Sequence, residues 1–255
     1  MKLNKYKTVK VIAHRGNSLY APENTKTAFK QAVDLGVDFI ECDVQLSKDG
    51  IPLVIHDGCF SRMTQNTTLN KVDALNYSEI KNLDAGSWFN KKYAAERIMT
   101  LDEFFLMQKK GIGMMIDVKE ETVTNCELAL KIGQSMKKYT ELKPGHGPIL
   151  IGSLNVNVLT CFDGYLPEQN LIPIVSTLDE LAPFHFLRAK VYALEHTMVN
   201  EAIVRELHER GAEVWTWVVD DLEVAKKMSA YGVDGIITNA PKNMQMLLRQ
   251  EKLMC

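Results

Sequence analysis

The sequence predicts an α/β barrel of eight parallel strands, and three observations favour this fold. Eight short apolar runs recur along the 255 residues, most of them separated by amphipathic stretches of helical length. Glycines follow several of the helical stretches, at the position where a left-handed residue commonly ends a helix. The chain also has the length at which such a barrel forms one domain. An open doubly wound sheet is the alternative, and eight repeats favour the closed arrangement.

The predicted strands follow one another regularly along the chain. They cover residues 10–13, 38–45, 114–119, 148–153, 171–175, 190–194, 213–219 and 234–238. The glycines that end helices before a strand are Gly36, Gly111, Gly211 and Gly232. Thr100 with Glu103, and Thr177 with Glu180, have the spacing of capping boxes, in which a hydroxyl and a carboxylate bond the free N–H groups at a helix start. Helices are therefore expected to begin at these threonines.

One segment interrupts the repeat. Residues 59–97 are rich in Thr, Asn and Lys and show no clear strand, and a short extra strand over residues 51–55 precedes them. We expect one domain over residues 1–255, with this segment as a small insertion after the second barrel strand. A connection that leaves the C-terminal end of a barrel strand lies on the face where such barrels place their active sites. The insertion is therefore expected to cover the pocket.

The charge balance and the N-terminal sequence limit the partners. The net charge of −2 lacks the basic footprint of a nucleic-acid-binding protein. The apolar run over residues 9–13 is too short for a signal segment or a membrane span. We therefore expect a cytoplasmic protein with a small-molecule substrate, no nucleic acid and no stable membrane insertion, while the oligomeric state leaves no signature in the sequence.

The cysteines indicate neither a disulfide framework nor a zinc site. They form an odd, scattered set without paired CxxC spacing. We expect reduced thiols at Cys42, Cys59, Cys126, Cys161 and Cys255.

Three carboxylates predict a metal site. Glu41 and Asp43 alternate along the apolar strand over residues 38–45, so both side chains point to the same face. An arbitrary acidic pair is usually solvated or salt-bridged, but two like charges inside an apolar strand are costly to bury without a counter-ion. Asp117 closes the next predicted barrel strand and adds a third carboxylate. Oxygen-only ligation favours magnesium or calcium over zinc.

Two cations and two histidines complete the candidate site. Arg15 follows the first strand, and Lys119 shares the inward face of Asp117; both suit a phosphoryl oxygen, although a single Arg or Lys is most often a surface charge. His14 and His56 each close a strand. Phosphodiester cleavage needs a base for the attacking hydroxyl and an acid for the leaving alkoxide, and two imidazoles can divide these roles near neutral pH. A single histidine at a strand end is more often structural, so the pair carries the hypothesis.

These residues together resemble the glycerophosphodiester phosphodiesterase family. The resemblance spans nearly the whole chain in order, including the insertion. It is carried by His14-Arg15-Gly16, Pro22-Glu23-Asn24-Thr25, Glu41-x-Asp43-Val44, Asp49-Gly50-x-Pro52-x-Val54-x-His56-Asp57, Asp84-Ala85-Gly86-Ser87-Trp88-Phe89, Trp215-Thr216-Trp217 and Gly232-Val233-Asp234-Gly235-Ile236-Ile237-Thr238.

The resemblance implies a TIM (β/α)8 barrel that hydrolyses glycerophosphodiesters to sn-glycerol 3-phosphate and an alcohol such as choline or ethanolamine. It implies one divalent cation, Mg or Ca, as the cofactor. Trp217 is expected to line the pocket, either on the glycerol backbone or at a cationic head group, with a place in the barrel core as the alternative. Carried over residue by residue, the acid-base pair is His14 and His56, the metal ligands are Glu41, Asp43 and Asp117, and the phosphate contacts are Arg15 and Lys119.

The chain departs from the family pattern at two positions. The family usually has Glu at the position of Asp117, so the shorter side chain must draw the metal toward its strand or coordinate through water. It often has Asp at the position of Asn239, and we expect this change to alter a helix-start contact without touching the chemistry. The Asp117-x-Lys119 pair also looks like the related venom-type phospholipase D group, but the Pro22-Glu23-Asn24-Thr25 block and the insertion favour the phosphodiesterase.

Several alternatives stay open on the sequence alone. A lipid phosphodiesterase or lyase of the phospholipase D kind is one, because Trp88, Phe89 and Lys91 in the insertion fit a membrane-facing edge as well as ordinary packing. A non-catalytic phosphate-binding module is another. Within the hydrolase hypothesis, either His14 or His56 is the base, and the nucleophile is either water or the glycerol 2-hydroxyl of the substrate.

Overall fold

Eight parallel strands close into a barrel in the computed structural model, which describes residues 8–64, 71–119, 126–165, 170–187 and 189–254. The strands are β1 Lys10–Ala13, β2 Phe39–Leu46, β3 Pro52–Val54, β4 Met99–Thr100, β5 Gly113–Val118, β6 Ile149–Ser153, β7 Asn170–Val175, β8 Val191–Glu195, β9 Glu213–Trp217 and β10 Gly235–Thr238. The α-helices are α1 Lys26–Leu35, α2 Ser61–Thr64, α3 Tyr77–Ile80, α4 Leu101–Phe105, α5 Glu127–Leu142, α6 Val156–Tyr165, α7 Leu178–Leu181, α8 Glu201–Glu209, α9 Leu222–Tyr231 and α10 Pro241–Met254.

The sheet closes because β1 has two parallel neighbours. Its Lys10 is in register with Gly235 of β10, and its Ile12 is in register with Phe39 of β2. From β2 the parallel order continues through β5, β6, β7, β8 and β9 back to β10. The predicted barrel is thus confirmed, and each of its eight strands lies within two residues of the predicted bounds.

The helix ends follow the sequence signals. Gly36, Gly111, Gly211 and Gly232 all have positive φ, between 67° and 89°, which glycine adopts without a Cβ penalty. The Thr100 hydroxyl accepts a hydrogen bond from the N–H of Glu103, whose carboxylate accepts one from the N–H of Thr100. The second box, Thr177 with Glu180, is also present. Both predicted capping boxes are therefore confirmed.

Alternation along the strands divides the core into two layers. One set of side chains fills the barrel interior, and the other set packs outward against the helices. Within the interior, the rings of Phe39 and Trp215 meet edge to face at 4.8 Å between centroids. The interior layer consists of Ile12, Phe39, Met115, Leu150, Ile172, Ile174, Val191, Ala193, Trp215 and Ile237.

The segment after β2 leaves the barrel. β3 pairs antiparallel with β2, and β4 pairs antiparallel with β3, so the sheet extends beyond its closed part. Helices α2 and α3 lie in this segment, which buries an apolar cluster of its own. The cluster consists of Leu53, Ile55, Phe60, Met63, Val72, Ile80, Ala85 and Ile98.

One expectation about the cysteines is wrong. Cys126 and Cys161 form a disulfide, with 5.3 Å between their Cα atoms, which links the start of α5 to α6. The two residues are 35 positions apart, and only the packing of α5 against α6 brings them together. Cys42 and Cys59 are free thiols, while Cys255 lies outside the described residues.

Among the helices that the structure describes, none is both long enough and apolar enough to cross a membrane.

Gly113 allows Phe39 to fill the barrel interior. A Cβ at position 113 would lie 2.1 Å from Cε1 of the Phe39 ring, far inside van der Waals contact. Gly113→Ala should therefore lower the free energy of unfolding by about 1–3 kcal/mol through overpacking, measured by urea denaturation. Adding Phe39→Leu should recover part of the loss. An unchanged free energy of unfolding in Gly113→Ala would show that the ring is not confined there.

Candidate active site

Polar side chains converge on a cavity of about 160 Å³ at the C-terminal mouth of the barrel. Its apolar wall includes Met115, Leu154, Ile174, Trp217, Val218 and Ile237. Its polar lining consists of His14, Arg15, Glu41, His56, Asp117 and Lys119. All of these polar residues were singled out in the sequence, and they come from four different segments of the chain.

The register of β2 and β5 brings the three carboxylates together. Asp43 and Asp117 are partners across these strands, and Glu41 lies two residues before Asp43 on the same face. One ligand oxygen from each carboxylate lies within 4.8 Å of the others. All three side chains are buried. Glu41, Asp43 and Asp117 thus form a compact group of oxygen donors.

The negative charge of these three carboxylates exceeds the positive charge of the side chains around them. Burial and the neighbouring charges of Asp43 and Asp117 raise the pKa of Glu41 well above its usual value. Burial also raises the pKa of Asp117. At Asp43, burial opposes ionisation, but the charges of Lys119 and Arg15 hold the pKa below its usual range. Ionisation is therefore favoured at Asp43 and opposed at Glu41 and Asp117, where an added positive charge would favour it.

The donor set fits a hard divalent cation. Asp117 Oδ1 is buried and accepts no hydrogen bond from any described residue, so it is a donor still available to a ligand. Three carboxylates with no nitrogen or sulfur ligand suit magnesium or calcium. The arrangement can hold an ion, and the ion would supply the positive charge that Glu41 and Asp117 require.

Two protein cations counter the charge of Asp43. Arg15 Nε lies 3.0 Å from Asp43 Oδ2, and Lys119 Nζ lies 3.1 Å from Asp43 Oδ1. Lys119 also pairs with Asp117. Although burial opposes their charge, the surrounding carboxylates raise the pKa of both cations above ordinary values. Arg15 and Lys119 therefore stay charged, and their side chains keep 16% and 15% of their surface exposed toward the cavity.

The loop after β1 sets Arg15 by its backbone conformation. Arg15 has φ of 56° and Gly16 has φ of 85°, both in the left-handed region. The turn directs the N–H of Arg15 to Glu41 Oε2 at 2.8 Å. Gly16 is required here, because a Cβ would lie 2.6 Å from the backbone of Ala28 in α1. The backbone of Arg15, the residue after His14, thus orients Glu41, which is a candidate metal ligand.

Asn24 is a functional neighbour that the sequence analysis did not single out. Its Nδ2 donates to Asp43 Oδ2 at 2.8 Å, and both residues are buried. Like Arg15, it has positive φ, 57°. The sequence feature that could have indicated this role is the Pro22-Glu23-Asn24-Thr25 block, to which Asn24 belongs.

His14 is held by Asn239. Its Nδ1 lies 2.7 Å from Asn239 Oδ1. Burial, together with the positive charge of Arg15, lowers the pKa of His14 from 6.5 to about 4, so the imidazole is neutral at pH 7. The expectation that position 239 affects only a helix-start contact is therefore wrong, because strand β10 ends beside β1 and carries this side chain onto the histidine ring.

His56 is held by its sequence neighbour and by the segment outside the barrel. Its Nδ1 lies 2.8 Å from Asp57 Oδ1. Asp57 Oδ2 accepts a hydrogen bond from Arg62 Nε at 2.6 Å, and Arg62 Nη2 donates to Glu23 Oε1 at 2.7 Å. Burial opposes ionisation of Asp57, but its bonds to Arg62 and His56 hold its pKa below the usual value. A carboxylate thus accepts from His56, whereas an amide accepts from His14.

Trp217 lies between the barrel core and the cavity. Its indole packs against the interior apolar layer and also lines the cavity. Nε1 donates to the carbonyl oxygen of Ala193 in β8 at 3.0 Å, which fixes the plane of the ring. The ring is therefore a rigid wall of the pocket.

The fold and site define a barrel enzyme of phosphodiester cleavage, and comparison with known proteins agrees. The sequence model of the glycerophosphoryl diester phosphodiesterase family matches residues 14–243. The chain belongs to this family, as its motifs predicted, and is therefore a phosphoric diester hydrolase.

Relatives and solved structures agree along the whole chain. A glycerophosphodiester phosphodiesterase of Caldanaerobacter subterraneus is 38% identical over 94% of this chain and 98% of its own length. One from Bacillus altitudinis is 32% identical over 91% of this chain and 95% of its own. The structure of an Oleispira antarctica phosphodiesterase in complex with the product sn-glycerol-3-phosphate superposes with a TM-score of 0.86 at 27% identity, covering 94% of this chain and 96% of that one.

The carboxylates have opposite effects on the stability of the metal-free protein. The pKa of Glu41 is raised on folding, so its cost is present above the ordinary carboxyl pKa of about 4.3 and absent below it. Without divalent cations at pH 7, Glu41→Gln should raise the free energy of unfolding by about 1–2 kcal/mol, and the gain should vanish near pH 4. Asp43→Asn should lower it by about 1–3 kcal/mol, because Arg15 and Lys119 each lose one buried carboxylate partner and keep only Glu23 and Asp117. Thermal unfolding in chelator would measure both, and a loss of stability in Glu41→Gln would contradict the charge imbalance.

Proposed function

We propose that this enzyme hydrolyses glycerophosphodiesters to sn-glycerol 3-phosphate and an alcohol. The supporting observation is that two imidazoles, two cations and the carboxylate group border one cavity. The bound product of the Oleispira antarctica phosphodiesterase is the same glycerol phosphate.

The carboxylate group would hold one divalent cation, magnesium or calcium. Glu41, Asp43 and Asp117 would be its ligands, as the Oδ1 of Asp117, unpaired among the described residues, and the raised pKa values of Glu41 and Asp117 favour. When bound, such an ion stabilises negative charge on a phosphoryl oxygen. Arg15 and Lys119 add their own donors to the phosphate. Arginine offers a planar fork and lysine a point charge, so the two can bind different oxygens of one diester.

The two histidines divide the proton transfers. His14 is neutral at pH 7 and donates from Nδ1 to Asn239, so its Nε2 has a free lone pair and can act as the base. His56 is bonded through Nδ1 to the carboxylate of Asp57, which orients the ring, so its Nε2 is the ring nitrogen that can donate a proton to the leaving oxygen. We therefore assign His14 as the general base and His56 as the general acid.

Either water or the glycerol 2-hydroxyl of the substrate can be the nucleophile in this arrangement. Attack by the 2-hydroxyl gives a cyclic phosphate, which is hydrolysed in a second step. Phosphorus NMR of a single-turnover reaction separates the two routes, because only attack by the 2-hydroxyl passes through a cyclic diester.

We propose that the chain forms a single domain, with residues 59–97 as an insertion that contributes Arg62 to the histidine side of the site. We also propose a cytoplasmic location. The Cys126–Cys161 disulfide would be exceptional there, because such bonds are rare in the cytosol. Subcellular fractionation with an immunoblot should find the enzyme in the cytosolic fraction, and recovery in an extracytoplasmic fraction would contradict the proposed location.

A lipid phosphodiesterase is the second candidate. Leu19 and Tyr20 after β1 and Leu154 after β6 are each 48% exposed on the active-site side of the barrel, and such side chains can contact a lipid surface. Activity on glycerophosphocholine should exceed activity on phosphatidylcholine vesicles if the proposed function is right. The reverse order would favour the lipid substrate.

Removal of the metal should abolish turnover. After exhaustive chelation, hydrolysis of glycerophosphocholine and glycerophosphoethanolamine should fall to background. The removed ion would have supplied the positive charge that balances Glu41 and Asp117 and that stabilises the phosphoryl oxygen. Adding back magnesium or calcium separately should restore the rate and show which ion is preferred. Full activity in the chelated enzyme would exclude the cation role.

The histidine variants should differ in their dependence on the leaving group. His14→Ala and His56→Ala should each lose about 10² to 10⁴-fold in kcat on glycerophosphocholine while staying folded. A nitrophenyl phosphodiester releases a weakly basic phenolate, so it should rescue much of the loss in His56→Ala and little of that in His14→Ala. Rescue of His14→Ala instead would exchange the two roles.

A further inference from the structure

A chain of hydrogen bonds links Asp220, Asn239 and His14. Asn239 Nδ2 donates to Asp220 Oδ2 at 2.7 Å, and Asn239 Oδ1 lies 2.7 Å from His14 Nδ1. Asp220 follows β9, Asn239 follows β10 and His14 follows β1, so adjacent strands of the barrel supply the three residues. The chain runs from the barrel rim to the imidazole that borders the cavity.

The position of the Asp220 carboxylate is set by two other donors. Its Oδ1 accepts from the backbone N–H of Asn239 at 2.7 Å and from the Thr238 hydroxyl at 2.8 Å. A backbone N–H can only donate, so the atom that faces it must be an acceptor. The remaining oxygen, Oδ2, is thereby directed at the Asn239 side chain.

Asp220 decides which way the Asn239 amide points. A carboxylate only accepts, so the NH₂ group of Asn239 must face it and Oδ1 must face the histidine. The flipped amide would bring two acceptor oxygens to 2.7 Å, an arrangement that a hydrogen-bonded network excludes. Ser18 fits either orientation, because its single hydroxyl proton can be donated to the carbonyl oxygen of His14 at 2.7 Å or to Asn239 Oδ1 at 2.8 Å, so Asp220 alone fixes the amide.

The amide orientation in turn decides the tautomer of His14. An amide oxygen cannot donate, so Nδ1 of the imidazole must carry the proton. In a neutral imidazole the proton on Nδ1 leaves Nε2 with a lone pair. The ring nitrogen available to the cavity is therefore the one that can accept a proton.

We propose that Asp220 and Asn239 are positioning residues that hold His14 in the Nδ1–H tautomer, with the Nε2 lone pair available to the nucleophile. Neither residue touches the substrate site: the cavity lining does not include them. The proposal rests on the assignment of His14 as the base, and it adds the reason that Nε2 of this histidine is ready to accept a proton.

The substitution D220N should exchange donors and acceptors along this series of hydrogen bonds. The side-chain oxygen at position 220 must still face the backbone N–H of Asn239, so the new NH₂ group points at the Asn239 amide. That amide must then flip and present its own NH₂ to His14, which moves the imidazole proton to Nε2. We expect kcat to fall about 10- to 10³-fold, below the loss of about 10⁴-fold that a wrong histidine tautomer causes in a serine protease, with KM changed less than about threefold.

The double variant D220N/N239D should restore the order of donors and acceptors. The carboxylate at position 239 accepts both from the NH₂ group at position 220 and from His14 Nδ1–H. We expect its kcat to return to within about tenfold of the natural enzyme. If the two positions act only in folding, the second substitution should add to the first loss rather than reverse it.

The tautomer can be observed directly. Nitrogen-15 NMR of the ring nitrogens distinguishes the two neutral forms of histidine, and the signals of His14, one of six histidines, are those missing in His14→Ala. The natural enzyme and D220N/N239D should show the Nδ1–H form, and D220N should show the Nε2–H form. The Nε2–H form in the natural enzyme, or an unchanged tautomer and kcat in D220N, would overturn the proposal.

Asp221 offers a matched control. It adjoins Asp220 but caps α9, accepting from the N–H groups of Glu223 and Val224. Asp221→Ala should lower the melting temperature through the lost helix cap and leave both kcat and the His14 tautomer unchanged. If His14→Ala keeps full activity, the proposed base is wrong whatever its tautomer. If His14→Ala is inactive but D220N is not, only the positioning role fails.

Discussion

Three carboxylates meet inside one mouth of a barrel, and the cost of holding their charge there shapes the rest of the site. The cost arises from the register of β2 and β5, which makes Asp43 and Asp117 neighbours with Glu41 beside them. Arg15 and Lys119 are sufficient to keep Asp43 ionised, but burial still raises the pKa of Glu41 and Asp117. The protein alone leaves the cluster short of positive charge. That shortage would favour a bound cation at this site and would disfavour the folded state when no cation is bound.

The connections at this mouth hold the charged groups in place. Arg15 and Asn24 adopt left-handed backbone conformations, which are rare outside glycine, and each of them bonds a carboxylate of the cluster. Strain of this kind persists only where the surroundings determine it. The surroundings here include the close approach of Gly16 to α1. The loop after β1 is therefore built as a rigid support for the site rather than as a simple connection.

The two imidazoles differ because different elements support them. His14 is supported by β10 through an amide, in surroundings that lower its pKa to about 4. His56 is supported by Asp57, which Arg62 links to Glu23 across the segment outside the barrel. The two rings therefore have different hydrogen-bond partners, a neutral amide for His14 and a carboxylate for His56. The proposed division of labour between base and acid rests on these supporting residues, although both histidines close strands and look alike along the chain.

The sequence by itself determined the eight strands, the helix ends and the inward face of Glu41 and Asp43, because these features depend on local periodicity, glycine conformation and capping chemistry. It also marked all six polar residues that line the cavity, since they stand at strand ends and the C-terminal ends of parallel strands share one face. Only the tertiary structure decided that Cys126 bonds Cys161, that Asn24 holds Asp43, and that Asn239 contacts His14. Each of these pairs joins segments far apart in the chain. No local pattern encodes such a pair, because its distance depends on how strands close and helices pack.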